Sequence, residues 1–233
     1  MILLFSSFTS KGGQAMSRYD RLLDKGLDRL GLSFDPEQRA QLDAYIAELE
    51  LFNPVYKLVG AEGEELVINH IFDSLAGVKT IEEIIKGYDR PTLADLGSGA
   101  GLPGIPLAIA LRNLDVVLVE RMGRRADFLR TVLVVTSLHR RVSIINRDIK
   151  EVDGRFEVLT FRAFRPLAEI LDSVAPLLTE GGVVVAYKGL RASVEEELQE
   201  VKRSVASRWE EEMIDLDVPF LERSRMLCLL RKI

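Results

Sequence analysis

Four glycines, Gly97, Gly99, Gly101 and Gly104, fall within eight residues of the run LADLGSGAGLPGIP at 93–106, directly behind an apolar segment that carries Asp95. Glycine weakens strands and helices alike. A cluster of this kind is tolerated where the chain needs positive φ, or where something must approach the backbone without a Cβ in the way. The simplest reading is a strand that ends in a tight crook from which a helix departs. In sheets built from such units, ligands sit beyond the carboxyl ends of the strands, at the point where strand order reverses.

The flanking pattern agrees. Downstream of Arg90-Pro91, short β-rich runs at 93–96, 116–119, 142–145, 158–161, 183–187 and 226–230 alternate with helix-length segments near 104–112, 123–137, 166–178 and 193–207. Such alternation predicts an α/β fold with a parallel, doubly wound sheet whose last strand has room to run antiparallel. Upstream, Leu22, Leu23, Leu27 and Leu30, then Leu42, Tyr45, Ile46 and Leu49, recur at helical spacing. Asp35 followed by Pro36 reads as an N-cap and first helical residue, further helices are expected at 64–75 and 78–86, and Asn53-Pro54 reads as a helix breaker. The expected organisation is a disordered lead-in over 1–16, with Met16 as a candidate start, a helical region over 17–90 and a ligand-binding domain over 91–233.

Composition narrows the partners. The 233-residue chain is 47% apolar and 29% charged, as ordinary globular proteins are. Its single cysteine, Cys228, has no disulfide partner, and with His70 and His139 it makes no metal-ligand cluster, so no metal is expected. A reducing cytoplasm is the expected setting and a monomer the expected state. No segment reaches the roughly 18 uncharged apolar residues that a bilayer span requires, so no membrane is expected. The net charge of −5 excludes a uniformly basic surface. It hides a local excess: residues 121–147 hold seven arginines, Arg121, Arg124, Arg125, Arg130, Arg140, Arg141 and Arg147, against the single acid Asp127. Such a patch is either a solvated face or a binder of phosphates.

Two ligand classes use a glycine crook after the first strand. Gly99 to Gly104 fits the dinucleotide spacing G-x-G-x-x-G, whereas Asp95 to Gly101 fits the D-x-G-x-G-x-G of S-adenosyl-L-methionine enzymes. Pro103 and Pro106 suit the first poorly, and an acid at Asp95 repels a pyrophosphate while suiting a cationic amino-acid end, directly or through water. Glu120 closes the second strand 19 residues after Gly101, where an acid accepts hydrogen bonds from ribose hydroxyls in either class. Together with Ser98, these residues make the candidate cofactor site.

The end of the fourth strand speaks to the methyl acceptor. It reads Phe161-Arg162-Ala163-Phe164, with neither the Asn/Asp-Pro-Pro-aromatic element used on exocyclic amines nor a cysteine nucleophile. The Asn53-Pro54-Val55-Tyr56 run lies far upstream, and Cys228 reads as a buried strand residue. A ring nitrogen such as guanine N7 needs no general base, because its lone pair is already free, so alignment and preorganised electrostatics suffice. Arg162 then serves the guanine acceptor edge or the cofactor carboxylate, and Lys188 a phosphate or O6. These two are the catalytic candidates, and Arg121, Arg124, Arg125, Arg165 and Lys188 are the candidates for binding the phosphates of a nucleic acid, which the family resemblance given next implies to be RNA.

Taken in order, Asn69-His70-Ile71-Phe72-Asp73-Ser74-Leu75, the run from Asp95 to Leu107, Arg124-Arg125-Ala126-Asp127-Phe128-Leu129-Arg130, Arg162-Ala163-Phe164 and Lys188-Gly189 resemble the bacterial ribosomal RNA small subunit methyltransferase G family, also called glucose-inhibited division protein B. The resemblance runs from about Leu22 to the last strand. It implies a Rossmann-like class I S-adenosylmethionine-dependent methyltransferase fold with a helical N-terminal extension. The implied activity is N7 methylation of a guanine in 16S ribosomal RNA of the 30S subunit. It places cofactor contacts on Gly97, Leu102, the pair Asp148 and Ile149, and Arg162, with the adenine near Leu102 and Asp148. The chain departs from the family pattern at Arg147-Asp148-Ile149, at Glu157 and at Tyr56-Lys57-Leu58. Two alternatives stay open: a methyltransferase of the same fold acting on a small molecule or protein, and a non-catalytic nucleotide-binding assembly module. His70 and Asp73, one helical turn apart, either brace the helical region against the cofactor domain or border the base pocket.

Overall fold

The computed structural model describes residues 18–233, so the expected lead-in lies outside the described residues. The chain opens on helices α1 (Asp20–Leu30) and α2 (Pro36–Tyr56). Asp35 caps α2 as its sequence requires. Its side chain accepts from the amides of Glu37 and Gln38, both at 2.9 Å, and the Gln38 side chain answers on the Asp35 amide. Caps of this kind contribute about 1 kcal/mol. Pro54 does not break α2 where the sequence suggested. The helix runs on to Tyr56, and Asn53 instead organises the exit, accepting from the Val59 amide and donating to the Ala61 carbonyl.

The expected helix at 64–75 is three pieces: α3 (Gly63–Leu66), a π-helical turn (Val67–Phe72) and α4 (Asp73–Leu75). After α5 (Val78–Ile84), strands and helices alternate: β1 (Thr92–Leu96), α6 (Gly104–Ala110), β2 (Asp115–Val119), α7 (Gly123–Val135), β3 (Val142–Ile145), β4 (Phe156–Arg162), α8 (Leu167–Val174), β5 (Leu178–Lys188), α9 (Arg191–Ser204), β6 (Trp209–Leu216) and β7 (Arg225–Lys232). The six expected strands are all present. A seventh, β6, was not expected: Glu210, Glu211, Glu212 and Asp215 mask it, because an edge strand leaves part of its length to water and admits charge there. The expected helix at 166–178 stops early, since Pro176 confines the last turn to a 3₁₀ form and β5 begins at Leu178.

The sheet order is β3-β2-β1-β4-β5-β7-β6, with β7 antiparallel to β5 and to β6 and every other pairing parallel. The chain reverses direction across the sheet between β1 and β4, whose registers align Leu93 with Val158 and Asp95 with Thr160. The ends of β1 and β4 therefore open into a shared crevice. α8 and α9 cover one face over a core that includes Leu159, Leu171, Val184 and Leu198. On the other face, Leu42, Tyr45, Ile46 and Leu49 of α2 join Ile105, Leu107 and Leu129 in one continuous apolar cluster, with Phe52 edge-on to Phe128 at 5.6 Å between centroids. Fully burying each such side chain stabilises the fold by about 1.5–3 kcal/mol, so the helical extension is fastened to the sheet layer along its length. Among the described residues no helix is long and apolar enough to cross a membrane, and no group of three His, Cys, Asp or Glu is placed to hold a metal ion. Cys228 lies fully buried on β7, and burial pushes its thiol up to about 12.

Candidate functional site

The glycine crook is held from beneath by two buried carboxylates. Asp95, 0% exposed at the end of β1, accepts from the Gly104 amide at 2.9 Å. Glu120, at the end of β2, accepts from the Gly99 amide at 2.9 Å and the Met122 amide at 2.7 Å. Ser98 closes the turn, its hydroxyl donating to the Asp95 carbonyl and its own carbonyl accepting from the Gly101 and Leu102 amides. Gly97 has φ +71°, and a Cβ there would meet the Phe164 ring at 2.4 Å; at Gly104 it would meet the Asp95 carboxylate at 2.8 Å. These two glycines are required by what lies against them. Tyr45 reaches across from α2 to donate to the Ala100 carbonyl at 2.8 Å, so the extension also grips the crook.

That arrangement separates the two ligand classes left open by the spacing. A pyrophosphate at a helix N-terminus needs free amides. Here the Gly99 and Gly104 amides are taken by carboxylates and those of Gly101 and Leu102 by Ser98, so a phosphate would find occupied donors backed by negative charge. Burial pushes the Asp95 carboxyl up to about 7, against the opposing Gly104 hydrogen bond and the nearby Arg162 charge; one of its oxygens has no partner.

Above the crook lies a cavity of about 700 Å³, within the range of ligand sites. Its floor is the backbone of Gly97, Ser98, Gly99 and Ala100, with Leu102 beside it, and its rim carries Arg125, Arg162, Arg165, Lys188 and Arg225. Of the cofactor candidates, the structure brings Gly97, Ser98, Gly99, Leu102 and Arg162 to the wall. Asp95, Gly101, Glu120, Asp148 and Ile149 are not among the residues that line the cavity: Asp95 and Glu120 hold the loop, and Asp148 caps a short 3₁₀ turn through the Lys150 amide. Asp95 is fully buried and its Oδ2 is held by the Gly104 amide, so its observed contact is with the loop itself. Of the RNA candidates, Arg125, Arg165 and Lys188 line the cavity, while Arg121 and Arg124 are exposed at the start of α7, outside the wall.

The opposite wall is built from distant side chains. Arg162 at the end of β4 donates to Asp73 Oδ2 at 2.8 Å, to the Asn69 carbonyl at 3.2 Å and to His70 Nδ1 at 3.0 Å. Asp73, 2% exposed, also accepts from Arg225 Nε at 2.9 Å. His70 lines the cavity and its Nδ1 accepts from Arg162. Burial first, and then Arg162, Arg225 and Arg223, pull its imidazole down to about 4, leaving it neutral and able to accept. Lys188 is paired at 2.6 Å with Glu197 Oε2, which also accepts from the Leu167 amide. Sequence reasoning passed over Glu197, Arg225 and Phe164. Only Phe164 left a signal, as the aromatic after the Arg162 strand end: its ring packs on Gly97 and carries Arg165 at 5.5 Å from its centroid.

A family model described as rRNA small subunit methyltransferase G, GidB, matches residues 38–228. Curated relatives include the ribosomal RNA small subunit methyltransferase G of Polynucleobacter asymbioticus, 35% identical over 185 residues, covering 77% of this chain and 82% of that one. That of Treponema denticola is 32% identical and covers 91% of this chain and 94% of its own. Among solved structures, the tRNA (m1A58) methyltransferase TrmI of Aquifex aeolicus superposes with a TM-score of 0.53 at 16% identity, over 67% of this chain and 69% of that one, a likeness of fold alone.

Proposed function

Because the chain belongs to the rRNA small subunit methyltransferase G family, we propose that it transfers a methyl group from S-adenosyl-L-methionine to N7 of one guanine in 16S ribosomal RNA, in the cytoplasm. The observation that carries this reading is the occupied amides of the crook, which leave a bare backbone floor suited to a nucleoside and closed to a diphosphate. Bound there, the cofactor supplies an electrophilic methyl carbon on a sulfonium. The residues fit it: the cationic rim would receive the amino-acid carboxylate, and Leu102 would offer an apolar edge to the adenine. Glu120 keeps unused lone pairs at the end of β2 for ribose hydroxyls, and the Asp148–Ile149 corner remains the proposed second border of the adenine.

The residues of this chain then act by placement. A ring nitrogen with a free lone pair has no proton to lose before it is methylated, so no side chain of this chain would need to serve as a base, and alignment is what the site would supply. Phe164 gives the base a face on which to stack. Arg162 directs donors at the acceptor edge of the base, and in doing so disfavours adenine, which carries an amino group where guanine has O6. Arg165 and Lys188 at the rim, with Arg121, Arg124 and Arg125 beside it, take phosphates of the RNA, and binding is expected to weaken steeply with salt.

The test is to incubate the protein with methyl-labelled S-adenosylmethionine and 30S particles lacking the family's modification, then map the label. Methyl on N7 of a single 16S guanine is the expected result. Methyl transfer that needs no RNA would replace this reading with one on a small molecule or protein.

A further inference from the structure

The π-helical turn Val67–Phe72 is the least regular feature of the helical extension, and it sits against the cavity wall. Such turns are rare, because the wider winding packs and hydrogen-bonds less well, and they persist mostly where a site uses the change. Here the carbonyl of Asn69, inside the turn, accepts from Arg162 Nη1, and the same segment delivers His70 Nδ1 to Nη2 and Asp73 Oδ2 to Nη1. Both oxygens of Asp73 are engaged, the second by Arg225 Nε.

A guanidinium has five N–H donors in one plane. Three of those on Arg162 are committed to this segment, which leaves Nε–H and one Nη2–H uncommitted on a residue that lines the cavity. Three bonds from the continuous 69–73 stretch, two from the π-helical turn and one from the first residue of α4, fix the plane as well as the position, something a single ion pair would leave free. His70 contributes only as a neutral imidazole, since a protonated ring has no lone pair to offer at Nδ1.

We infer that the 69–73 segment is a guanidinium clamp, in which Asp73 and His70 act as positioning residues that hold the two uncommitted donors of Arg162 against the acceptor edge of the base undergoing methylation. This rests on the methyl-transfer reading above. The clamp makes its contribution in the transition state, where alignment counts, and little in cofactor binding.

The experiment measures kcat and KM on 30S particles, and S-adenosylhomocysteine affinity by calorimetry, for the wild type, Asp73→Asn, Arg162→Lys and their double variant, each normalised to the folded fraction. Asp73→Asn is expected to lower kcat by about 30-fold or more, with KM and cofactor affinity within about threefold. The double variant should be no slower than Arg162→Lys alone, because both changes disable one device. Should Asp73→Asn fail to fold, His70→Leu and His70→Gln carry the same test: the first deletes the acceptor and should lose kcat, and the second restores one and should recover at least about a third of it. Unchanged kcat in Asp73→Asn or in His70→Leu, or losses that multiply in the double variant, would overturn the clamp. A wild type that labels no RNA would instead sink the methyl-transfer reading, a separate outcome.

Discussion

The two walls of the cavity are built in opposite ways. The crook is backbone, tied by bonds that span 9 residues from Asp95 to Gly104 and 21 from Glu120 to Gly99. The Arg162 wall is side chain, tied by bonds that span 89 residues to Asp73, which in turn reaches 152 residues to Arg225. A backbone floor accepts a ligand through shape and positive φ, and it is local enough to be written in one stretch of sequence. A side-chain wall selects what the ligand presents, and it exists only once the helical extension has docked.

The sharpest way to break the comparison is at Gly97. Gly97→Val adds bulk against Phe164 and strain at φ +71°, so cofactor binding should vanish in calorimetry. Gly99→Val, at φ +56° with only ordinary contacts around a new Cβ, should leave the fold largely intact while still costing affinity. Equal loss of fold in both would blur the distinction between a packed glycine and a ligand-facing one.

A smaller effect probes the carboxylate beneath the floor. The folded pKa of Asp95, about 7, lies above its ordinary value of 3.8, so between these limits the native state holds the extra proton and stability falls as pH rises. Asp95→Asn should erase a falling slope worth on the order of a few kcal/mol across that window. His70 runs the other way: its folded pKa near 4 lies below the ordinary 6.5, so its share of stability is lost as pH drops through that range. Denaturant midpoints of Asp95→Asn from pH 4 to 7 should therefore rise with pH, exposing the His70 slope. A curve parallel to the wild type would mean that Asp95 is charged throughout.

The smallest change is Tyr45→Phe, which deletes the bond to the Ala100 carbonyl and costs about 1 kcal/mol. Cofactor affinity should drop severalfold with kcat nearly unchanged, as read by calorimetry and single-turnover rates. A fall in kcat instead would place the extension's influence on the Arg162 wall.

These differences also explain what the sequence made legible. The β-branched runs at 116–119 and 142–145 and the Asp35-Pro36 cap carry their own local physics, and the structure keeps them. Arg162 and Lys188 were found as candidates because cations at strand ends face the crevice. The restraint of Arg162 by Asp73, 89 residues away, leaves no local pattern, and Glu197, only 9 residues past Lys188, reads in sequence as one acid of a solvated helix face. The Asp95–Gly104 bond was hidden for a related reason: spacing places an acid beside the loop without saying which amide its carboxylate will hold. The π-helical turn has no composition of its own, because VINHIF reads as ordinary amphipathic helix.

The central claim is that the crook receives a nucleoside sulfonium and rejects a dinucleotide. Titrating the wild-type protein in a calorimeter with S-adenosylhomocysteine and, separately, with NADH tests it most directly. One equivalent of S-adenosylhomocysteine bound, with no heat from NADH, is the predicted result; NADH binding while S-adenosylhomocysteine does not would contradict it.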